Sequence, residues 1–148
     1  MPQLTTSLDR DVELRLRRND VRYTRGRRAV VHALAESVGP KSASELLEVV
    51  GPEVPLSSLY RTLTVLEEAD VVAPHFGARG LTRYELAEWI TGHHHHFVCI
   101  ECGAVEDIDI PPSMERHVNS LVTDISERAS FAPTSHVLEI EGRCRKCR

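Results

Sequence analysis

An α+β architecture in two parts is what the 148-residue sequence predicts. Residues 1–86 read as three or four short helices followed by two β-rich runs around a glycine turn, the outline of a winged helix-turn-helix. Residues 93–148 read as a small α/β unit, and "AEWITG", residues 87–92, as the hinge between them. Charge follows the same division. Residues 10–28 carry eight arginines against three acids, whereas beyond residue 86 there are ten acids against six Lys or Arg.

The elements follow in order. Residues 9–18 place Val12, Leu14 and Leu16 among charges, a short helix. Thr24 is placed to N-cap a second helix, "RGRRAVVHALAESV", which Gly39-Pro40 ends. Ser42 with Glu45 three residues on is a capping box for a third helix through Val50. After the turn at Gly51-Pro52 and Pro55, a fourth helix starts at Ser57 or Ser58 and buries Leu59, Leu63 and Leu66. "VVAPHF" and "TRYEL", joined by "GARG", form a hairpin, the wing. The second half adds strands over 93–100 and 104–110. A helix from Pro111-Pro112 to about Arg128 follows, with prolines suited to its first turn, and "SHVLEIEG" makes a last strand.

At 41% hydrophobic, 27% charged and net charge −4, the composition is that of an ordinary soluble protein. No run approaches the roughly 18 apolar residues of a membrane span, and the N-terminus lacks the apolar block of a signal peptide. A cytoplasmic chain with reduced thiols and no membrane partner is therefore expected. There the four cysteines read as metal ligands rather than disulfides.

Cys99-x-x-Cys102 and Cys144-x-x-Cys147 are separated by 41 residues. Two such knuckles supply four thiolates in a tetrahedron, the environment of structural Zn(II). A thioredoxin-like pair would open a helix after a strand, and neither knuckle does. Just upstream lies "HHHH", residues 93–96. In an extended segment successive side chains face opposite ways. His93 and His95 then form one chelating pair and His94 and His96 another, so that the run serves two metal sites back to back. Carboxylates complete such shells, and Glu85, Glu106, Asp107 and Glu115 are near in sequence; His136 lies in the last strand. His75, in the first wing run, is placed to reach the hinge. No H-E-x-x-H or H-x-E…P-C-x-x-C signature of a metallohydrolase or deaminase is present. A metal-storage or chaperone module is a further reading of such a ligand cluster.

Taken together and in order, "YTRGRRAVVHAL", "SSLYRTLTVLEEADVV", "RYELAE", "HHHHFVCIECG" and "CRKC" resemble the ferric uptake regulator (Fur) family of metal-dependent bacterial transcription regulators. The resemblance spans nearly the whole chain. It implies a winged-helix DNA-binding domain, a C-terminal dimerisation domain, and a homodimer on palindromic double-stranded operator DNA, usually as a repressor. It implies DNA contacts from Arg22, Ser57, Ser58, Tyr60 and Arg61. It also implies three metal sets: structural Zn(II) at Cys99, Cys102, Cys144 and Cys147; a regulatory ion at Glu85, His94, His96 and Asp107; and a second ion at His93, His95, Glu115 and His136. Four histidines are more typical of the family's zinc sensors than the His-His-Asp-His of many iron and manganese regulators. Asp107 resembles the peroxide-sensing branch instead. The histidine that iron and peroxide sensors carry before the third helix is missing near Pro40-Lys41. Zn(II) and Fe(II), with Mn(II) besides, all stay open for the regulatory site.

Overall fold

The computed structural model describes residues 2–77 and 80–148, with side chains from residue 6 onward. Helix α1 (Pro2–Arg18) is longer than the pattern over 9–18 suggests. Its apolar stripe is real: Val12 and Leu16, one turn apart, are fully buried. Helix α2 (Arg25–Ala35) is capped by Thr24, whose hydroxyl accepts from the Arg27 amide. Helix α3 (Ala43–Val50) carries the capping box, with Ser42 accepting from the Glu45 amide and the Glu45 carboxylate accepting from the Ser42 amide. Helix α4 (Leu56–Glu68) buries Leu59, Leu63 and Leu66, as its spacing requires.

Strands β2 (Val72–Phe76) and β3 (Thr82–Leu86) pair antiparallel as the wing. Of the "GARG" turn, Ala78 and Arg79 lie outside the described residues. A two-residue strand, β1 (Lys41–Ser42), adds to β3 and gives the sheet order β1-β3-β2. It is too short to carry a period of its own. The hydrophobic core formed by α1 to α4 and this sheet runs from Val12 to Leu86, entirely within the N-terminal half.

The C-terminal half contains β4 (His95–Cys99), β5 (Val105–Ile108), α6 (Pro112–Arg128) and β6 (Glu139–Gly142). Its sheet order is β5-β4-β6, with β4 and β6 parallel. Parallel pairing needs a crossover, which β5 and α6 together provide. Few residues are buried here, chiefly Val98, Cys99, Val105, His95 and His96. Gly39, at φ +74°, backs onto β5 so closely that a Cβ would lie 2.8 Å from the Val105 carbonyl. The two halves therefore meet backbone to side-chain-free backbone.

Some expected element boundaries need correction. Helix α4 does not begin at a serine: Pro55 holds the N-cap position and its carbonyl accepts from the Ser58 amide at 2.9 Å. A proline carbonyl serves that bond as well as any other, so Ser57 and Ser58 fall inside the first turn. Within residues 87–92, the segment expected as the hinge, Glu88–Thr91 forms a one-turn helix, α5. Its amide and indole donors are satisfied by the preceding turn: the Ala87 N–H donates to Val71 and Trp89 Nε1 to the Asp70 carbonyl, at 2.9 and 2.5 Å. The strands of the second half are shorter than their β-rich runs. His93 and His94 precede β4, and His136 precedes β6 rather than lying in it.

Candidate metal centres and the exposed face of α4

Three groups of metal-ligating side chains converge, and within each the ligand atoms lie no more than 4.8 Å apart. They are Cys99, Cys102, Cys144 and Cys147; His93, His95, Glu115 and His136; and Glu85, His94, His96 and Asp107. Alternation along the extended chain produces the last two. The rings of His93 and His95 stand 4.7 Å apart on one side, and those of His94 and His96 stand 4.8 Å apart on the other.

In the cysteine group, Cys102 Sγ and Cys144 Sγ are 3.9 Å apart. A tetrahedron with bonds of about 2.3 Å has edges of about 3.8 Å, so the spacing fits a zinc ion. The backbone amides of Cys102 and Cys144 donate toward Cys99 Sγ and bring that thiol down to about 6. Hydrogen bonding with the Cys144 thiol, backed by burial, pushes Cys147 up to about 12. Four sulfurs this close cannot all be thiolates unless a cation shares their charge.

The hinge group joins the two halves. Glu85, on β3, places one oxygen 3.0 Å from His94 Nε2 and 3.2 Å from His96 Nε2. Asp107, on β5 and paired in register with His96, lies 3.7 and 3.4 Å from the same nitrogens. Bonds of about 2.0–2.1 Å give tetrahedral edges of about 3.3–3.4 Å, and these four distances straddle that value. Burial raises the Glu85 carboxyl, but hydrogen bonds from His96 and His94 outweigh it and hold the group below its ordinary value. Burial lowers His94; its bonds to the Gly92 carbonyl and to Glu85 outweigh that and raise it.

The remaining group draws on α6. His95 Nε2 is 2.7 Å from one Glu115 oxygen, while His93 and His136 lie 3.2 and 3.1 Å from the other. His93 Nε2 and His136 Nε2 face each other at 3.2 Å. Glu115 Oε1 is buried with no hydrogen-bond partner despite those two nitrogens at ligand spacing. Imidazole nitrogens converging on an unbonded carboxylate oxygen fit a shared cation better than a hydrogen-bond network.

Two side chains matter that sequence pattern underplays. His75 is not brought into the hinge group. Its Nε2 bonds Glu139 at 2.9 Å, and its ring stands edge-on to His96 at 4.8 Å. Glu88, hidden in the polar "AEWITG", bonds His93 Nδ1 at 2.6 Å. Its only sequence signal is an acid five residues ahead of a histidine. Glu106 is exposed and joins no group.

Helix α4 turns Ser57, Tyr60 and Arg61 to solvent, with Tyr60 54% exposed, while Leu59, Leu63 and Leu66 face the core. Ser58 is half-buried and Arg22 exposed, the Arg22 carbonyl accepting from Arg27 Nη1 at 2.6 Å. Among the described residues no helix is long and apolar enough to cross a membrane.

Comparison with known proteins agrees with this picture. The ferric uptake regulator family model matches residues 18–141. The ferric uptake regulation protein of Bacillus subtilis is 34% identical over 142 residues, covering 92% of this chain and 91% of its own. The peroxide-responsive repressor PerR of Staphylococcus epidermidis is 27% identical, covering 96% and 93%. The solved Helicobacter pylori ferric uptake regulator, described as having three functional metal-binding sites, superposes with a TM-score of 0.77 at 23% identity, over 97% of this chain and 93% of that one. With most of its length matched to the family and its winged-helix and α/β halves in place, this chain belongs to the ferric uptake regulator family of metal-dependent transcription regulators.

Proposed function

We propose that the chain is a cytoplasmic, metal-gated repressor that binds operator DNA as a homodimer, with Glu85, His94, His96 and Asp107 as the regulatory site. The observation that carries this reading is Glu85: a carboxylate on the wing strand within 3.2 Å of two imidazoles from the other half. A divalent cation held there supplies bonds to both halves at once and neutralises two carboxylates. The residues do the rest. Glu85 fixes β3, and hence the wing and α4, against β4 and β5. Arg22, Ser57, Ser58, Tyr60 and Arg61 then meet DNA in one fixed arrangement. Moving such an equilibrium from 1% to 99% competent takes about 5.5 kcal/mol of differential affinity, within reach of a four-ligand site.

The cysteine group is the structural Zn(II) site. It clamps the C-terminal tail to the β4–β5 turn, in a half with too little core to hold itself. The same scarcity supports dimerisation through that half. Phe97, Ile100, Leu121, Ile125 and Ile140 are 47–59% exposed there, an apolar surface that a second copy would cover. Domain limits of 1–86 and 93–148, with 87–92 as hinge, complete this reading, and a buried core that ends at Leu86 supports it.

Two imidazoles with two carboxylates suit Zn(II), and they also suit Fe(II) or Mn(II). The carboxylate pair is the specific feature favouring a second reading, a peroxide-sensing iron or manganese repressor. Operator binding measured in buffered Zn(II), and anaerobically in Fe(II) and Mn(II), tests both. Protein retaining its cysteine-bound zinc should bind DNA at least 100-fold more tightly with regulatory metal. Affinity unchanged by metal removal would refute gating, and loss of binding on peroxide treatment of the Fe(II) form alone would favour the second reading.

A further inference from the structure

We propose that Glu88 is a positioning residue that ties the His93–His95–Glu115–His136 site to the hinge helix, so that filling that site holds α5 in place and Glu88 in turn strengthens the site. The proposal rests on reading those four residues as a metal site.

Three observations carry it. First, Glu88 Oε1 lies 2.6 Å from His93 Nδ1, while His93 Nε2 faces Glu115 and His136 at 3.2 Å. One ring thus has a carboxylate on each nitrogen. With Nε2 committed to a cation, the ring proton sits on Nδ1 and donates to Glu88, the carboxylate–histidine arrangement that orients metal ligands.

Second, the bond closes over a pivot. Gly92, the one residue between α5 and the histidines, has φ +84° and ψ 166°, a backbone region open essentially to glycine alone. Nothing crowds it within 4 Å of where a Cβ would sit. Rotation about Gly92 would swing His93 away from α5, and the Glu88–His93 bond opposes that rotation.

Third, α5 is anchored to the DNA-binding half. Ile90 packs on its core. The Trp89 indole donates to the Asp70 carbonyl just past α4, and its ring lies 4.6 Å beneath the guanidinium of Arg15, which also pairs with Asp70 at 3.5 Å. A fixed α5 therefore fixes both the arginine-rich α1 and the end of α4. Coupling of this kind is reciprocal: whatever α5 gains from an occupied site, the site gains from Glu88.

Trp89 is the only tryptophan in the chain, so its emission reports on α5 directly. The test uses full-length protein with its cysteine zinc in place and the hinge site disabled by His96→Ala. Zn(II), which is d¹⁰ and redox-silent, is titrated against a chelating dye while Trp89 emission is followed. The parent should bind one zinc with a saturable change in emission. Adding Glu88→Ala, an exposed substitution to a good helix former, should weaken that zinc by about 10- to 100-fold and abolish the emission change at saturation. Unchanged affinity, or a full emission change in the variant, would overturn the proposal and leave the site standing. A parent that takes up no second zinc would overturn the site and the proposal together.

Discussion

Arg83 Nε donates to the carbonyl of Gly103 at 3.1 Å, so a buried arginine on the wing touches the turn that closes the first cysteine knuckle. The same guanidinium bonds Glu45 at 2.7 Å, and that Glu45 oxygen also caps α3 through the Ser42 amide. One side chain therefore links the first cysteine knuckle, the wing and the capping box of α3.

Replacing Arg83 with leucine should strand the Gly103 carbonyl and loosen the capping box, destabilising the protein by about 2 kcal/mol. Burial raises Glu45, but the Ser42 amide and Arg83 outweigh it and hold the carboxyl below its ordinary 4.5. A carboxyl depressed in the folded state stabilises above its unfolded value and loses that contribution as pH falls. Arg83→Leu should therefore cost more at neutral pH than after the pH has fallen below 4.5 and through the depressed Glu45 value, the Gly103 part of the cost persisting at both ends. Thermal unfolding across that range would show it, and an equal cost at both ends would count against the shared-oxygen link.

Asp9 performs a similar task at the other end of the domain. It accepts from Tyr23 Oη and bonds His32 Nε2, both at 2.8 Å, and pairs with Arg28 at 2.7 Å. Burial raises its pKa, yet these bonds hold it below 3.8. Asp9→Ala should cost about 2 kcal/mol at neutral pH and release α1 from α2. The wild-type contribution should fade as pH falls below 3.8 through the depressed value. Amide exchange at Val12 and Leu16 is the readout, and protection equal to wild type would show that apolar packing alone holds α1.

Stripping the cysteine metal, or substituting Cys102→Ser, should unfold the two halves unequally. The apolar core from Val12 to Leu86 contains no residue of the C-terminal half. Amides of β6 and the tail beyond it should become exchange-labile while those of α2 and α4 keep their protection. Uniform loss of protection would mean that the zinc site supports the whole molecule.

On the DNA side, Arg61→Ala should weaken operator binding by about 1–3 kcal/mol if the guanidinium reads a base. Arg22→Ala should weaken all sequences alike and reduce the salt slope by about 1, as a phosphate contact would. Both side chains are exposed, so melting temperature should not change. A stability loss matching the binding loss would place these residues in folding rather than recognition.

Much of this was legible in the sequence where one residue type permits few local solutions. Thr24 and the Ser42/Glu45 pair mark helix starts because their oxygens suit orphan amides, and both caps are present. Alternation of the four histidines follows from extended backbone alone and survives although His93 and His94 lie outside β4. What was hidden depends on partners distant in sequence. β1 exists only because β3 pairs with it. α5 is held by Val71 and Asp70, and Pro55 displaced the serines as cap of α4. Glu88 and Arg83 look like ordinary surface charges until the fold brings His93 and Gly103 to them.

The most direct test of the gating account is the Glu85→Ala variant, with operator affinity measured across buffered regulatory metal while the cysteine zinc is kept. Glu85 is the one hinge-group ligand contributed by the wing. DNA binding should stay weak at every metal concentration, with metal still taken up at His93, His95, Glu115 and His136. A wild-type metal-dependent rise in affinity, persisting without Glu85, would contradict it.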